Sequence, residues 1–309
     1  MSRAATAAVR EAPSGGARGR GRSRDWKRRP AWLALLVYGG ALLLAALAVG
    51  PGLWLVLGSL QPAGADAGNP FDQMVADGGV APVGEWFTTA NYERAWEDGD
   101  MGRPLMNSVI VTLARAGLNV ILAALAAYPL ARMDFPGRRL FFLAILATTM
   151  IPEQVVVVPM FRIAAGLGLY DTLAGVVAPF SVSAFGVFMC RQAFLQVPKA
   201  VEEAAVIDGA SSLRIWWTVM LPLTLPTLAT LALFSVIFAW SDLLWSLVIL
   251  QSPERYTLPV AINGLLGTFA TNPRVAQAAS VLALVPVVVL FLCVQRFMKP
   301  ELFGGSVKG

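Results

Sequence analysis

Three ionisable side chains, Arg115, Glu153 and Asp242, each lie inside a long apolar run. A charge in hydrocarbon costs about 2.5 to 3.5 kcal/mol on insertion scales, so each needs a compensating partner or a polar path. Counted along their runs at 1.5 Å per residue, all three fall at a common depth of roughly 12 to 15 Å below one membrane surface. The chemistry this allows is an ion pair beside a translocation path, with Arg115 matched to Glu153 or to Asp242. The alternative is that each is separately tucked at a kink or snorkels to the surface. Ser241 adds a hydroxyl beside Asp242, and Trp240 and Trp245 offer aromatic faces to such a path, although tryptophans near span ends more often serve as interface anchors. Pro152 and Pro159 interrupt the run around Glu153 and leave carbonyls without helical donors, which lipid tolerates only where protein or water covers them.

A second group of residues lies between Pro198 and Pro222, in PKAVEEAAVIDGASSLRIWWTVMLP. It reads as two short helices around a turn. Pro198 suits a first helical position, Glu202 and Glu203 favour the positive end of the helix dipole, and Gly209 can take the left-handed conformation that ends a helix. Ser211 or Ser212 can cap the second helix. Ala204 and Ala205 leave a surface with little bulk, where another protein's backbone can approach. Leu213, Trp216, Trp217 and Met220 make the second helix amphipathic and suit it to a membrane interface. On these grounds alone the segment is equally a structural elbow between two spans.

Other chemistry is poorly supplied. The chain has no His, and its cysteines, Cys190 and Cys293, each sit within an apolar block. No catalytic constellation, no metal site and no disulfide framework is expected from such a set. There is no HExxH, no paired aspartate motif and no GxxxxGK[ST] phosphate loop.

The elements that must position these groups follow from run length. Of 309 residues 57% are hydrophobic and only 14% charged, whereas a soluble domain carries about a quarter charged residues. The apolar residues come in blocks long enough to span about 30 Å of hydrocarbon. Six are expected: Trp32 to about Leu60, 105 to 131, 140 to 163, 173 to 193, 223 to 250 and 277 to 297. The first is too long for a secretory signal core and reads as a retained helix. The fold class is therefore all-α, a polytopic membrane protein of six transmembrane helices.

Charge asymmetry orients it. Residues 61 to 104 carry eight acids against Arg94 and Arg103 and are expected outside, while Arg132, Arg138 and Arg139 put the next connection in the cytoplasm. The alternation places 164 to 172 and 251 to 276 outside, and 194 to 222 and both termini in the cytoplasm. The net charge of +5 comes from residues 1 to 30, which contribute +7 against −2 for the remainder. That tail is expected to be a disordered basic segment at an anionic membrane surface, not a nucleic-acid ligand, because it stops directly before a hydrophobic span.

The spacing in the 198 to 222 segment is specific. Glu203, Ala204 and Ala205 are followed by three residues, Gly209, nine residues, Val219, one residue, and Leu221-Pro222. This resembles the "EAA" loop of importer permeases of the ATP-binding-cassette class. The resemblance runs from about Phe87 onward and is nearest to the carbohydrate-type permeases of the maltose and glycerol-phosphate class, as their second permease subunit. Carrying it are NYERAW from Asn91 to Trp96, the Asn107-Ser108 pair opening a span, AAYPLAR ending at Arg132, MIPEQVVVVPMF from Met150 to Phe161, and the terminal GGSVKG. Where that family often has Trp-Asn-Asp, this chain has Trp240, Ser241 and Asp242.

The resemblance implies a type I importer permease fold over 31 to 309, with a coupling loop at 194 to 222. Within it Glu203, Ala204, Ala205, Asp208, Gly209, Leu221 and Pro222 would couple to a separate ATPase. The implied partners are a second homologous permease, two ATPase subunits holding ATP and Mg, an extracytoplasmic solute-binding protein and a small carbohydrate such as a sugar, oligosaccharide or polyol phosphate. The chain itself would bind no cofactor and catalyse no reaction. Rivals are a permease for another solute class, such as amino acids or phosphate, and an ion-coupled secondary carrier using Glu153 or Asp242, which would have no need of an EAA loop.

Overall fold

The computed structural model describes residues 31 to 62, 87 to 268 and 273 to 294. The basic tail at 1 to 30, much of the acidic stretch expected outside, and the terminal GGSVKG lie outside them.

Every regular element among the described residues is helical. Two units divide the chain between Pro51 and Gly52. The first contributes the beginning of helix α1, Ala31–Ser59, whose apolar side chains there, Leu35, Tyr38 and Leu42 among them, are largely exposed. An all-round apolar helix with bare side chains is what lipid, and not water, can solvate.

The second unit is built on α3, Gly102–Arg132, preceded by the short α2, Ala90–Glu97. Around α3 pack α4, Arg138–Thr148; α5, Glu153–Gly166; α6, Leu173–Val177 with a 3-10 turn over Ala178–Phe180; and α7, Ala184–Gln196. Then come α8, Lys199–Ile207, and α9, Ser212–Ile215, which continues through a π turn over Trp216–Met220 into Leu221–Leu223. The chain ends in α10, Leu225–Trp240; α11, Leu244–Ile249; α12, Leu258–Thr268; and α13, Pro273–Val294.

Among the described residues three helices, within α1, α3 and α13, are each long and apolar enough to cross a membrane, and three bent pairs bring the number to six when each pair is counted as one span. The bends correct the expectation of continuous spans. The run expected at 140 to 163 is α4 and α5 meeting at 101°, and 173 to 193 is the α6 stretch and α7 at 46°. The expected fifth span at 223 to 250 is helical from Leu225 to Trp240, breaks, and resumes over Leu244–Ile249, and the bent partner of Leu225 to Trp240 at 81° is the segment from Ser212 to Leu223.

Apart from the 81° bend, which falls at Thr224, the breaks before α5, before α7 and after α10 have local causes. Pro152, which has no N–H to donate, precedes α5 with an extended ψ of 138°, so the helix cannot run through it from α4. Ser183 opens α7, its Oγ accepting the amide of Gly186 at 3.0 Å, and Thr172 opens α6 in the same way with Gly175 at 3.0 Å. After Trp240 the Asp242 carboxylate accepts the amide of Trp245 at 3.2 Å. Capping groups of this kind compete with the helix ladder and restart it in a new direction.

The core lies where α3 meets α7 and α10. Ala123, Ala124, Ala127 and Ala131 form a buried stripe on α3 against Val187, Cys190 and Phe194. Small residues let transmembrane backbones approach closely. Gly186 shows how closely: a Cβ there would stand 2.9 Å from the Ala123 Cβ.

The motif residues near the start of the unit tie ends together. Asn91 donates to the carbonyls of Ser59 and Gln61 at 2.9 and 2.7 Å. Tyr92 and Ser59 hydroxyls share a 2.6 Å hydrogen bond. Asn107 donates to the carbonyls of Glu254 and Tyr256 at 3.0 and 2.9 Å, and the Ser108 hydroxyl accepts the amide of Leu258 at 2.7 Å. NYERAW therefore clasps the end of α1, and the Asn-Ser pair holds the connection before α12.

Candidate translocation cavity and helical elbow

The three helix breaks converge on one cavity of about 610 Å³ in the second unit, walled by α3, the start of α5, the turn before α7, α10 and the break after it. Arg115 enters from α3. Its Nη1 donates to Asp242 Oδ2 at 2.6 Å, with both side chains more than nine-tenths buried, and its guanidinium lies 4.3 Å over the Phe180 ring. Of the two partners the sequence left open, the ion pair is with Asp242. The other Asp242 oxygen caps α11, so one carboxylate serves both as counter-ion and as the cause of the break that brings it there.

Glu153, the first residue of α5, lines the same cavity but is exposed. Ser241 also lines it; its hydroxyl donates to the Ile237 carbonyl at 2.8 Å. Trp240 and Trp245 do not. Trp240 turns its indole to the Ala283 carbonyl on α13 at 3.1 Å, and Trp245 is fully buried with its indole donating to the Gly175 carbonyl at 3.0 Å. Both ring N–H groups have found backbone partners in the protein.

One further polar anchor escapes sequence reasoning. Asn119, one turn below Arg115, accepts the Ser183 amide through Oδ1 at 2.7 Å and donates to the Ser235 hydroxyl at 2.8 Å, binding the turn before α7 and helix α10 to α3. Its i, i+4 spacing from Arg115 is the signal that could have found it.

The elbow follows its expected capping. Pro198 is the residue before the first turn of α8, not its first helical position. Gly209 has φ +77°, the left-handed conformation that ends the helix. Ser211 caps α9, its hydroxyl accepting the amide of Arg214 at 3.4 Å.

Glu203, Ala204, Asp208 and Gly209 are exposed, Ala205 is half-buried, and Ile207 is 86% exposed. The expected amphipathic face is divided: Leu213 and Trp217 are exposed, but Trp216 and Met220 belong to the core and the Trp216 indole donates to the Ala124 carbonyl at 3.3 Å. The π turn widens the helix at these residues and lets two of them face inward. Leu221 packs against the same core, and Pro222 lies inside the segment that leads to α10.

What holds the elbow is Glu202. Its Oε1 accepts the Tyr128 hydroxyl at 2.8 Å, and its Oε2 stands 3.3 Å from Arg132 Nε. Arg132 in turn donates to the carbonyls of Phe194 and Val197, the last residues before the elbow. Tyr128 and Arg132 are four apart at the end of α3, so the helix that carries Arg115 at the cavity also carries the clasp on α8.

A third cluster joins the turn after α5 to that after α11. Asp171, at φ +53°, accepts the amides of Gln251 and Ser252 at 2.9 and 3.0 Å and the Ser252 hydroxyl at 2.6 Å, and pairs with Arg255 at 3.0 Å. The Ser252 hydroxyl, then the two amides, and last the Arg255 guanidinium hold its carboxyl down at about 2. Among the described residues no His, Cys, Asp or Glu side chains gather in a metal-holding group.

Against known proteins, residues 119–303 match the model of a family described as binding-protein-dependent transport system inner membrane component. The arabinooligosaccharides transport system permease protein of Halalkalibacterium halodurans is 33% identical over 281 residues, covering 90% of this chain and 96% of the relative. The trehalose transport system permease protein of Mycobacterium tuberculosis is also 33% identical, covering 92% and 99%. Among solved structures, a chain of a bacterial ABC transporter involved in the import of the acidic polysaccharide alginate superposes with a TM-score of 0.73 at 26% identity, covering 88% of this chain and 99% of that one.

Proposed function

The chain belongs to the family of binding-protein-dependent transport system inner membrane components, and from that premise we propose that it moves a carbohydrate into the cytoplasm as the permease subunit of an ATP-driven importer. It is a transport subunit, not an enzyme. Relatives named for arabinooligosaccharides and trehalose support the cargo class. In this reading residues 31 to 309 act as one permease domain behind a basic cytoplasmic tail at 1 to 30, both termini are cytoplasmic, and a second permease, two ATPase subunits with ATP and Mg, and an extracytoplasmic binding protein complete the machine.

The observation that carries the reading is the mechanical continuity of α3. An exposed helix end at Glu203 to Gly209 is the surface offered to an ATPase, and Leu221 seats its return against the core while Pro222 beside it stays exposed. Glu202 ties that surface to Tyr128 and Arg132, and α3 runs on from them to Arg115, facing Glu153, Ser241 and Asp242 across the cavity. A displacement of α8 when two ATPase subunits close is then handed to the cavity wall, biasing a two-state change between inward-open and outward-open forms. Trp240, turned toward α13, supports the wall from behind.

The test is uptake by the assembled importer in proteoliposomes. Glu203→Ala removes the exposed charge, and Gly209→Pro forbids the positive φ at the end of α8. Both variants are expected to insert and to co-purify with the second permease while ATP hydrolysis no longer drives uptake of labelled oligosaccharides. Normal uptake by both sinks the coupling assignment.

A further inference from the structure

We propose that the cavity discriminates cargo by charge, admitting uncharged carbohydrate and repelling anionic carbohydrate such as a uronate or sugar phosphate, with Glu153 setting the sign. The inference rests on the reading of this chain as a carbohydrate permease and narrows its cargo.

Three charged residues line the cavity. Arg115 and Asp242 neutralise each other at 2.6 Å with both side chains nearly buried, and the Phe180 ring covers a face of the guanidinium at 4.3 Å. The charge of the cavity's cation is therefore already neutralised by Asp242, which also takes an Nη1 donor. Glu153 is the remaining charge. It is exposed on the wall, and among the described residues no hydrogen bond or salt bridge engages its carboxylate. The wall thus carries a net charge of one negative unit.

Part of the uncommitted polar capacity has the same bias, while the Gln154 amide that also lines the cavity both donates and accepts. An ionised carboxylate only accepts hydrogen bonds, and the Ser241 hydroxyl spends its proton on the Ile237 carbonyl and faces outward as an acceptor. Acceptors match the hydroxyl donors of a sugar and mismatch an oxyanion. Phe185 and Phe238, 44% and 65% exposed, supply apolar faces for the C–H faces of a sugar ring. A cleft with low-dielectric walls focuses the field of an unpaired charge, changing local concentrations of charged solutes about tenfold or more.

The test separates the field from the cargo. A Ser241→Cys variant of the assembled importer is treated with a cationic and an anionic methanethiosulfonate of similar size, with labelling of the parent protein subtracted. The ratio of cationic to anionic rates, corrected for each reagent's reactivity toward a free thiol, is expected to fall about tenfold when Glu153→Gln is added. An unchanged ratio overturns the inference, whatever the cargo. Uptake is then measured with an oligosaccharide and its C6-oxidised uronate, the binding protein having been shown by titration to hold both. The importer with Glu153 is expected to take up the neutral sugar and reject the acid, and Glu153→Gln to raise the acid-to-neutral ratio. Equal uptake of both by the unsubstituted importer overturns the filter while leaving carbohydrate import intact; uptake of neither removes the underlying reading instead.

Discussion

The cavity and the elbow use charge in opposite ways, although both are attached to α3. At the cavity a cation and an anion are buried and close on each other, Arg115 to Asp242, and the exposed carboxylate, Glu153, has no ion-pair partner among the described residues. At the elbow the buried end of the charge network looks inward, where Glu202 is clasped by Tyr128 and Arg132, while the outward surface mixes the exposed carboxylates Glu203 and Asp208 with Ala204 and Ile207. The first arrangement fixes wall geometry where hydrocarbon makes an unpaired charge expensive. The second fixes only the root of a short helix and leaves its tip bare. Under the proposed importer reading, a wall that keeps its shape and a handle grasped by an ATPase call for these different solutions.

The sharpest way to break the comparison is at the buried pair. Arg115→Ala leaves Asp242 buried and uncompensated, a change that costs about 3 to 5 kcal/mol in buried pairs, and removes the cap partner's anchor before α11. The expected outcome is a large loss of thermal stability of the detergent-extracted complex and loss of uptake. Exchanging the two charges, Arg115→Asp with Asp242→Arg, is expected to restore part of the stability. No restoration would mean that Asp242 matters only as a helix cap.

The root of the elbow should respond less. Glu202→Gln weakens a hydrogen-bonded charge, worth about 1.5 to 3 kcal/mol, and Tyr128→Phe removes one hydrogen bond, worth about 1 kcal/mol. Both are expected to leave the cavity intact, as read by unchanged thiol labelling at Ser241→Cys, while lowering the uptake obtained per ATP hydrolysed. If Glu202→Gln changes labelling at the cavity as strongly as Arg115→Ala does, the two regions are not mechanically distinct.

The sequence displays these regions unequally. Apolar run length reveals the six crossings, and Pro152 announces the break before α5, because hydrocarbon thickness and proline chemistry act on local sequence. The breaks at Ser183 and Asp242 are hidden: neither involves Gly or Pro, and each depends on a side chain that caps the next helix once the neighbouring helices exist. Depth counting brought Arg115, Glu153 and Asp242 together but could not choose between two carboxylates at one height. Trp240 and Trp245 beside them looked like path residues, since an indole's packing against α13 or Gly175 is decided by helix rotation, which run length does not encode. At the elbow the motif drew attention to Glu203, whereas the residue before it bears the internal contacts, and only the Tyr128 and Arg132 spacing on α3 hints at that.

Asp171 sharpens the comparison from a third position, since its charge network is on a connecting turn outside the spans, with Asp171 half-buried and Arg255 exposed. Its carboxyl is held at about 2 by the hydroxyl and amide of Ser252, the amide of Gln251 and Arg255, below the usual 3.8 or so of an unfolded Asp. A depressed folded value means that the anion is the form the turn binds. Its contribution is present above about pH 4 and is lost as pH falls through the folded value near 2. Asp171→Asn is therefore expected to have the smallest effect of the series at neutral pH, loosening residues 251 to 256 and raising their amide exchange without altering cavity labelling. The variant should also lose the part of the parent's acid sensitivity that arises between pH 4 and 2 in this turn. Exchange that is equally slow in both proteins at pH 7 would assign the register of this turn to Asn107 and Ser108, whose hydrogen bonds to residues 254 to 258 carry no charge.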